Sequence, residues 1–504
     1  LILLLLLGAG VCRIFMGRAS PVPDDKRIVT ICRGGFKRDR EEMKELQAAF
    51  AKDRPDIYIK VIQSSLERKP DTMLAAGVPP DVMFVPVDKI DYYVESGALL
   101  DLAPYIEADP KLSRLLFGCP DGEKPDFYPQ TVSPFIREVD GKRHIYALPV
   151  NYVAFMMFYN KDLFDKYHVD YPNENWDWDG LRRRALALTR DRNGLRPDQP
   201  GFDTKHVQTF GFDYAFWQHP VATFIRQAGG RIVSEDGTRV VTDNPGTIEA
   251  LQYLYDLKRS DGVIPPYNPS GAREERANSF QKGNVAMYLG GCFTIPTLRD
   301  QAPNMDWDVA PLPRGPGGRR GSVVFTNGYG IATLSKDPEA TFAYLRFLVS
   351  DEGMSIQGRN SVFFPCRRSI MEKTVKADRA RKPYNKWALT HDVDYGYANA
   401  PFATKQDYFQ VYECVNEHFS KLLQSPNPPY QPEEAARTIA NEGNTILQRD
   451  RTVKGSSSFG LFVVVLGGAP AAYILYRLFR RKRKTLPRFM LLEERWGYAL
   501  ISPW

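Results

Sequence analysis

The chain has 504 residues, 43% of them hydrophobic and 25% charged, a balance typical of globular proteins with a large core. Its formal net charge is +7, but seven basic residues between positions 477 and 488, with no acid among them, equal that whole excess. The rest of the chain is therefore close to neutral. No basic stripe of the kind that binds nucleic acid is visible in it, so we exclude that class of partner.

An apolar stretch, residues 1–12, opens the sequence as "LILLLLLGAGVC". It resembles the end of a signal peptide or signal anchor, and we assign residues 1–17 to this segment. The charged region that normally precedes such a stretch is not in the sequence, so cleavage and retention both stay open. Lipid attachment at Cys12 is disfavoured, because Val11 stands where lipoprotein signals carry a small residue.

The next segments predict a strand at 26–35, a helix at 39–57, a second strand at 57–63 and a third at 81–88. The strands are apolar rather than alternating. This pattern favours an α/β fold with a mostly parallel sheet that is covered on both faces.

Later segments repeat the same style of strands and helices. We predict strands at 143–150, 152–160, 284–291 and 328–335, and helices at 247–262, 341–358 and 432–448. Pro432 stands in the first turn of the last helix, where proline is tolerated. Residues 451–458 follow as a short, flexible linker.

Residues 459–479 form an apolar run that is charged only at Arg477. About 20 residues at about 1.5 Å each can cross a hydrocarbon core, so we predict a transmembrane helix. The basic flank 480–484 is typical of the cytoplasmic side of a span. This orientation places residues 26–450 outside the cytoplasm and residues 480–504 inside it.

Cysteine and histidine usage indicates neither a disulfide framework nor a metal site. No CxxC pair, no HExxH motif and no paired cysteine and histidine spacing is apparent. We therefore predict no metal and no cofactor, although one disulfide among the five exported cysteines is possible in an oxidising compartment. The cysteines are Cys12, Cys32, Cys119, Cys292, Cys366 and Cys414.

Two acidic residues, Asp177 and Asp179, invite comparison with the carboxylate pair of a glycosidase. Their position just before "LRRRALAL" is better explained as a helix N-cap and a favourable first-turn charge. The glycine-rich residues 314–321 lack the GK[ST] ending of a P-loop, and no ATPase motif is present. We predict that the protein is not an enzyme.

Six stretches follow one another along the chain: "AAGVPPDVMFVPVDKIDYYVESGALLDLAPYI", "IYALPVNYVAFMMFYNKDLF", "NWDWDGLRRRALAL", "FQKGNVAMYLGG", "WDVAPLPRGPGG" and "TNGYGIATLSKDPEATFAYLRFLVS". In this order they resemble the extracellular solute-binding proteins of carbohydrate ABC transporters, the broad family that includes maltose-binding protein. After the predicted span, "RFMLLEERWGYALISPW" resembles the start of a sugar-transporter permease. The resemblance thus indicates a solute-binding domain, residues 26–450, fused to the start of a permease.

This resemblance implies the two-lobed periplasmic-binding-protein type II fold, with α/β lobes that close around a ligand by hinge motion. Lobe one should comprise residues 26–150 and 311–335. Lobe two should comprise 151–310 and 336–450, with crossings at "PVNYV" and near "DVAPLP".

The implied function is a membrane-tethered, extracytoplasmic receptor for a carbohydrate, with an oligosaccharide favoured. The receptor would deliver this ligand to an ABC transporter permease that is driven by a separate ATPase subunit. A sensing domain that signals through the span is the alternative, and a surface glycan hydrolase is a third reading.

Four polar or aromatic residues are candidate ligand contacts in lobe one and at the crossings. Asp88 ends a strand where the maltose-binding type places a hydroxyl-binding aspartate; a helix cap is the other explanation. Tyr152 and Asn327 lie at the two crossings, and Lys37 ends "RGGFK", which is otherwise a solvated turn. Val153 stands where maltose-binding protein carries an acid, so maltodextrin specificity is not implied.

Three aromatic residues are candidate contacts in lobe two, since flat rings suit the CH-rich face of a sugar. Trp217, with Tyr214 nearby, lies where the family often places a stacking ring, although a place in the core is the rival explanation. Phe293 follows Cys292 where a tryptophan is commoner in the family, and it can substitute as the stacking platform.

Overall fold

The computed structural model describes residues 25–33, 37–63, 68–119, 121–215, 218–266, 278–360, 363–397 and 408–448. The predicted N-terminal segment, linker, transmembrane helix and permease-like region lie outside these residues. No helix in the described part of the chain is long and apolar enough to cross a membrane. The described residues up to Leu447 belong to one compact unit.

Strands of the described residues fall into two larger sheets and two short ribbons. They are β1 Arg27–Arg33, β2 Ile57–Gln63, β3 Val82–Pro86, β4 Ile136–Val139, β5 Lys142–Ile145, β6 Leu148–Val153, β7 Phe155–Asn160, β8 Arg190–Asp191, β9 Val207–Tyr214, β10 Val285–Gly291, β11 Trp307–Ala310, β12 Ser322–Val323, β13 Phe325–Ile331, β14 Phe364–Pro365 and β15 Gly396–Tyr397.

Helices cover both sheets and connect most of their strands. They are α1 Lys37–Asp53, α2 Arg68–Ala75, α3 Ile90–Glu95, α4 Ala103–Glu107, α5 Pro110–Phe117, α6 Pro129–Val132, α7 Lys161–Lys166, α8 Trp178–Leu188, α9 Gln218–Gln227, α10 Pro245–Arg259, α11 Thr294–Gln301, α12 Pro338–Leu348, α13 Asp351–Asn360, α14 Arg368–Ala377, α15 Ala388–His391, α16 Tyr408–Leu423 and α17 Pro432–Leu447.

The first sheet has the strand order β14-β6-β13-β3-β1-β2. Its β1 pairs in parallel with β2 and β3, as the strand-helix-strand pattern predicted. Its β13, however, runs antiparallel to both β3 and β6. The prediction of a mostly parallel sheet was therefore wrong: β13 enters from the other sheet, so it runs in the opposite direction.

The second sheet has the order β11-β7-β10-β9-β8. It is also mixed, since β10 pairs in parallel with β9 but antiparallel with β7. Every residue of β7 and β10 is buried, which confirms the prediction that these apolar strands are covered on both faces.

The chain passes from the first sheet to the second and back again. β6 belongs to the first sheet and β7 to the second, and Ala154 alone separates them. The return runs from β11, in the second sheet, to β13, in the first. Both connections fall in or near the stretches where the resemblance implied a crossing.

The region 336–450, assigned as a whole to lobe two, divides between the two sheets in the structure. α12 contacts β1 and β13 of the first sheet, and α13 packs against α1. Rings of Tyr344 and Phe347 lie 5.1 and 5.3 Å from Phe50, which fixes α12 there. By contrast, α16 and α17 pack with α10 beside the second sheet. The prediction assigned all of residues 336–450 to lobe two, whereas α12 and α13 pack with the first sheet.

A single helix was predicted at 341–358, but the structure has two, α12 and α13. The break falls at Val349 and Ser350, and the Ser350 hydroxyl accepts a hydrogen bond from the Gly353 amide at 3.2 Å. A serine that satisfies a first-turn amide starts a new helix, and the apolar period alone does not show this.

Candidate functional site

The candidate site is the crossing region, where backbone hydrogen bonds bring the ends of several strands together. We define the crossing site as Asp88, Asn151 to Phe155, Phe293, Phe325 and Asn327. The Cys292 amide donates to the Ala154 carbonyl at 2.9 Å, and the Val87 amide donates to the Thr326 carbonyl at 3.0 Å. These two bonds fix the segments that carry Phe293 and Asp88 to the two crossings.

Asp88 lies in the turn that follows β3 and is partly buried. The position at the N-cap of α3 is taken by Lys89, whose side chain makes no cap hydrogen bond. The alternative explanation of Asp88 as that cap is therefore not supported. Its carboxylate remains a candidate acceptor for a ligand hydroxyl.

Asn327 sits on β13 and is buried, as is its neighbour Asn151 on β6. Its Nδ2 donates to the Asn151 Oδ1 at 2.8 Å. Sequence reasoning identified Asn327 but missed Asn151, because the pairing depends on the register of β6 and β13. The two side-chain amides therefore join β6 to β13 within the crossing site.

Tyr152 lies on β6, at the crossing, and its side chain is fully buried. Its ring packs edge-on against Tyr128 at 5.6 Å and Phe364 at 5.9 Å. Burial raises the pKa of the Tyr152 hydroxyl well above its usual value. In this structure the ring is part of the core and presents no open face to a ligand.

Phe293 lies two residues beyond the end of β10 and is only partly buried. A Cβ on Gly291 would lie 2.2 Å from the Phe293 ring, and one on Gly290 would lie 2.6 Å from the Tyr288 ring. The two glycines of "LGGCF" therefore make room for two rings. Phe293 is held against bare backbone beside the first crossing, which is a suitable position for a stacking platform.

The remaining predicted residues divide into two groups. Tyr214 ends β9, is buried and stacks on Phe212 at 6.0 Å, so its place is the core. Trp217 lies outside the described residues, as does the side chain of Lys37, the first residue of α1. The roles of Trp217 and Lys37 stay predictions.

Three rings that sequence reasoning did not single out link the two sheets. Phe325 begins β13 and is partly buried, and the His219 ring meets it edge-on at 5.2 Å. His219 also stacks on Phe155 at 6.5 Å. Burial lowers the pKa of His219 to about 4, so this ring is neutral at ordinary pH. Because Phe155, His219 and Phe325 are far apart in the sequence, no local pattern predicted these contacts.

A cavity of about 540 Å³ adjoins the crossing site. Cys292 and Ile295 contribute to its wall near α11, and Phe363 and Phe364 contribute from the region of β14. Arg299 of α11 forms an ion pair with Asp378, which follows α14, so charged groups in this wall are already partnered. The cavity therefore lies where elements of the two sheets are tied together.

Cys292 and Asp177, two groups with potential for covalent or acid–base chemistry, both have structural surroundings. Burial raises the pKa of the Cys292 thiol to about 12, which keeps it protonated and unreactive. Asp177 accepts a hydrogen bond from the Gly180 amide at 2.7 Å, which confirms the predicted helix cap. No disulfide joins the cysteines in the described part of the chain, which are Cys32, Cys119, Cys292, Cys366 and Cys414.

Comparison with known proteins assigns the class. Residues 37–355 match the family described as bacterial extracellular solute-binding protein, and the chain belongs to this family. A putative binding protein of Brucella abortus is 28% identical over 64% of this chain and 72% of its own length. The maltodextrin-binding protein MdxE of Bacillus subtilis is 22% identical over 69% of this chain and 74% of its own.

Solved structures show the same two-lobed α/β fold. An ABC substrate-binding protein of Listeria monocytogenes in complex with cycloalternan has a TM-score of 0.67 and 25% identity, covering 84% of this chain and 99% of its own. Maltose-bound MalE3 of T. maritima has a TM-score of 0.62 and 24% identity, covering 83% and 99%. At such identities the second comparison describes the fold alone.

Proposed function

We propose that the protein is an extracytoplasmic receptor that binds a carbohydrate, with an oligosaccharide favoured, at the crossing site. Family membership supports a solute receptor. Two similar proteins support the class of ligand: the Listeria protein was solved with cycloalternan, and the Bacillus protein is named for maltodextrin. Capture of the ligand would close the lobes by hinge motion at the two crossings.

The observation that carries this proposal is the position of Phe293. Its partly buried ring lies over Gly291 at the end of β10, next to the crossing that joins the two sheets. Phe325, on the other sheet, is also partly exposed, and Asp88 supplies a carboxylate nearby. Ring faces for a pyranose and a carboxylate for its hydroxyls are the groups that sugar recognition needs.

We further propose that residues 459–479 tether this receptor to the membrane and that residues 480–504 begin a permease. The linker 451–458 would keep the receptor close to the bilayer, because about eight residues reach less than about 30 Å. A short tether gives an effective concentration that can approach about millimolar at the transporter. A separate ATPase subunit would supply the energy.

The proposed function is tested by calorimetric titration of the purified chain with a panel of maltodextrins, galacto-oligosaccharides and cyclic glucans. We expect saturable binding of at least one saccharide at one site per chain. Free amino acids serve as the control ligands. Heat only with the amino acids, or no heat with any saccharide, would overturn the carbohydrate assignment.

The membrane part of the proposal has its own test. Fractionation of cells that express the chain should leave it in the membrane pellet after an alkaline carbonate wash. With residues 1–17 replaced by a cleavable signal peptide in both proteins, a variant that ends at residue 450 should instead be released to the extracytoplasmic fraction. Recovery of both variants in the same soluble fraction would contradict the tether without touching the carbohydrate assignment.

A further inference from the structure

A group of three metal-ligand side chains lies outside the crossing site, between α16 and α17. Cys414 and His418 are four residues apart on α16 and so share one face of that helix. Glu442 faces them from α17. One ligand atom of each residue lies within 4.8 Å of the other two.

The distances are close to those of a bound metal ion. His418 Nε2 lies 2.9 Å from Glu442 Oε2, and Cys414 Sγ lies 3.9 Å from the same oxygen. Ligand atoms of a tetrahedral zinc site, with bonds of about 2.0 to 2.3 Å, are about 3.3 to 3.6 Å apart. Small side-chain rotations therefore suffice to enclose an ion.

The second ring nitrogen of His418, Nδ1, already has a hydrogen-bond partner. Its Nδ1 lies 2.8 Å from the Tyr430 hydroxyl, which itself donates to the His418 carbonyl oxygen at 3.3 Å. In the tautomer with the proton on Nδ1, the tyrosine oxygen is the acceptor and the lone pair of the neutral ring is at Nε2. That lone pair lies 2.9 Å from a carboxylate oxygen of Glu442, and the two atoms can then bind one cation together.

The burial of the three side chains leaves one coordination position of a bound ion open to solvent. Cys414 and His418 are buried, whereas 57% of the Glu442 side chain is exposed. The solvent side can therefore admit the ion and supply water as a fourth ligand. The mixture of sulfur, nitrogen and oxygen favours Zn²⁺, since Ca²⁺ and Mg²⁺ prefer oxygen ligands.

We propose that Cys414, His418 and Glu442 bind one Zn²⁺ ion, with water as the fourth ligand. On binding, the Cys414 thiol releases its proton to solvent and the thiolate coordinates the metal. The ion would join α16 to α17 and so stabilise the end of the compact unit. CxxC and HExxH patterns do not cover this group, because Glu442 lies 28 residues beyond Cys414.

Cobalt(II) is the probe for this site, because a thiolate ligand gives Co²⁺ an intense near-ultraviolet charge-transfer band. The experiment uses the full chain without an affinity tag, first stripped of metal. We expect one equivalent of Co²⁺ to produce the band and Zn²⁺ to displace it. The thermal unfolding midpoint should also rise when Zn²⁺ is added.

Three variants decide the assignment. Cys414→Ser should abolish the band, and Glu442→Gln, at an exposed position that folding tolerates, should weaken Co²⁺ binding at least tenfold. Cys119→Ser, a partly exposed cysteine outside the cluster, is the matched control and should change neither. A band that persists in Cys414→Ser, or no stoichiometric binding by the parent chain, would show that the three side chains form only a hydrogen-bonded contact.

Discussion

Tyr152 and Phe293 occupy opposite sides of the same crossing, yet the structure uses them differently. Tyr152 is enclosed by Tyr128 and Phe364 on the side of the first sheet. Phe293 lies over Gly291 on the side of the second sheet and keeps part of its ring exposed. An aromatic residue at a crossing can thus either hold the hinge together or offer a face to a ligand, and its neighbours decide which.

The largest expected effect is on stability, from Tyr152→Ala. Removal of a fully buried ring leaves a cavity between Tyr128 and Phe364, and such changes cost about 3 to 5 kcal/mol. Chemical denaturation should show this loss. Tyr152→Phe, which keeps the ring, should retain most of the stability, and equal losses in the two variants would contradict a packing role.

A second effect is the pH dependence that His219 creates at the same junction. Its pKa is lowered to about 4 in the folded protein, against about 6.5 when unfolded. The unfolded state binds the proton first, so stability should fall as pH decreases from about 6.5 towards 4, by up to about 3 kcal/mol.

Denaturation of the parent chain and of His219→Phe at pH 7 and pH 5 measures this contribution. The variant keeps a ring against Phe325 and Phe155 but has no group to protonate. Its stability should fall less between the two pH values than that of the parent. Identical pH dependence in both proteins would exclude His219 as the source.

Phe293 is the partly exposed ring of the two. Phe293→Ala should weaken saccharide binding by about 1 to 3 kcal/mol, the free energy of burying one large apolar side chain. Calorimetry of the folded variant measures this loss. Phe293→Tyr, which keeps a flat ring, should bind within a few-fold of the parent. Unchanged affinity in Phe293→Ala would remove this residue from the ligand site. Trp217→Ala is expected to lose a similar amount.

The smallest expected effects distinguish Asp177, a carboxylate that caps a helix, from Asp88, a carboxylate at the crossing. Asp177→Ala removes a helix cap and should cost about 1 kcal/mol of stability, with saccharide affinity unchanged. Asp88→Asn should instead weaken saccharide binding and leave stability unchanged, because Asp88 lies at the crossing and not at the N-cap of α3. Thermal unfolding and calorimetry on both variants measure the two quantities.

Much of the fold could be predicted from short segments. Apolar strands at 57–63 and 284–291, the cap at Asp177 and the helix that begins at Pro432 depend on neighbours a few residues away. Such signals are local, so a single sequence contains them. The order of six such segments was also enough to indicate the family.

The site itself was less predictable. Asn327 was identified without Asn151, its partner across two strands that are 176 residues apart in the chain. Tyr152 and Tyr214 were expected to contact ligand, but both are buried in the structure. Whether a ring is covered depends on side chains brought in from other segments, which periodicity does not reveal.

The amino-acid sequence by itself determined the family, the alternation of strands and helices and the position of the first crossing. The tertiary structure decided the direction of β13, the separate roles of Tyr152 and Phe293, and the meeting of Cys414 and His418 with Glu442. The physical reason is distance along the chain: capping and periodicity act over a few residues, whereas register, burial and ligand geometry arise only when remote segments pack together.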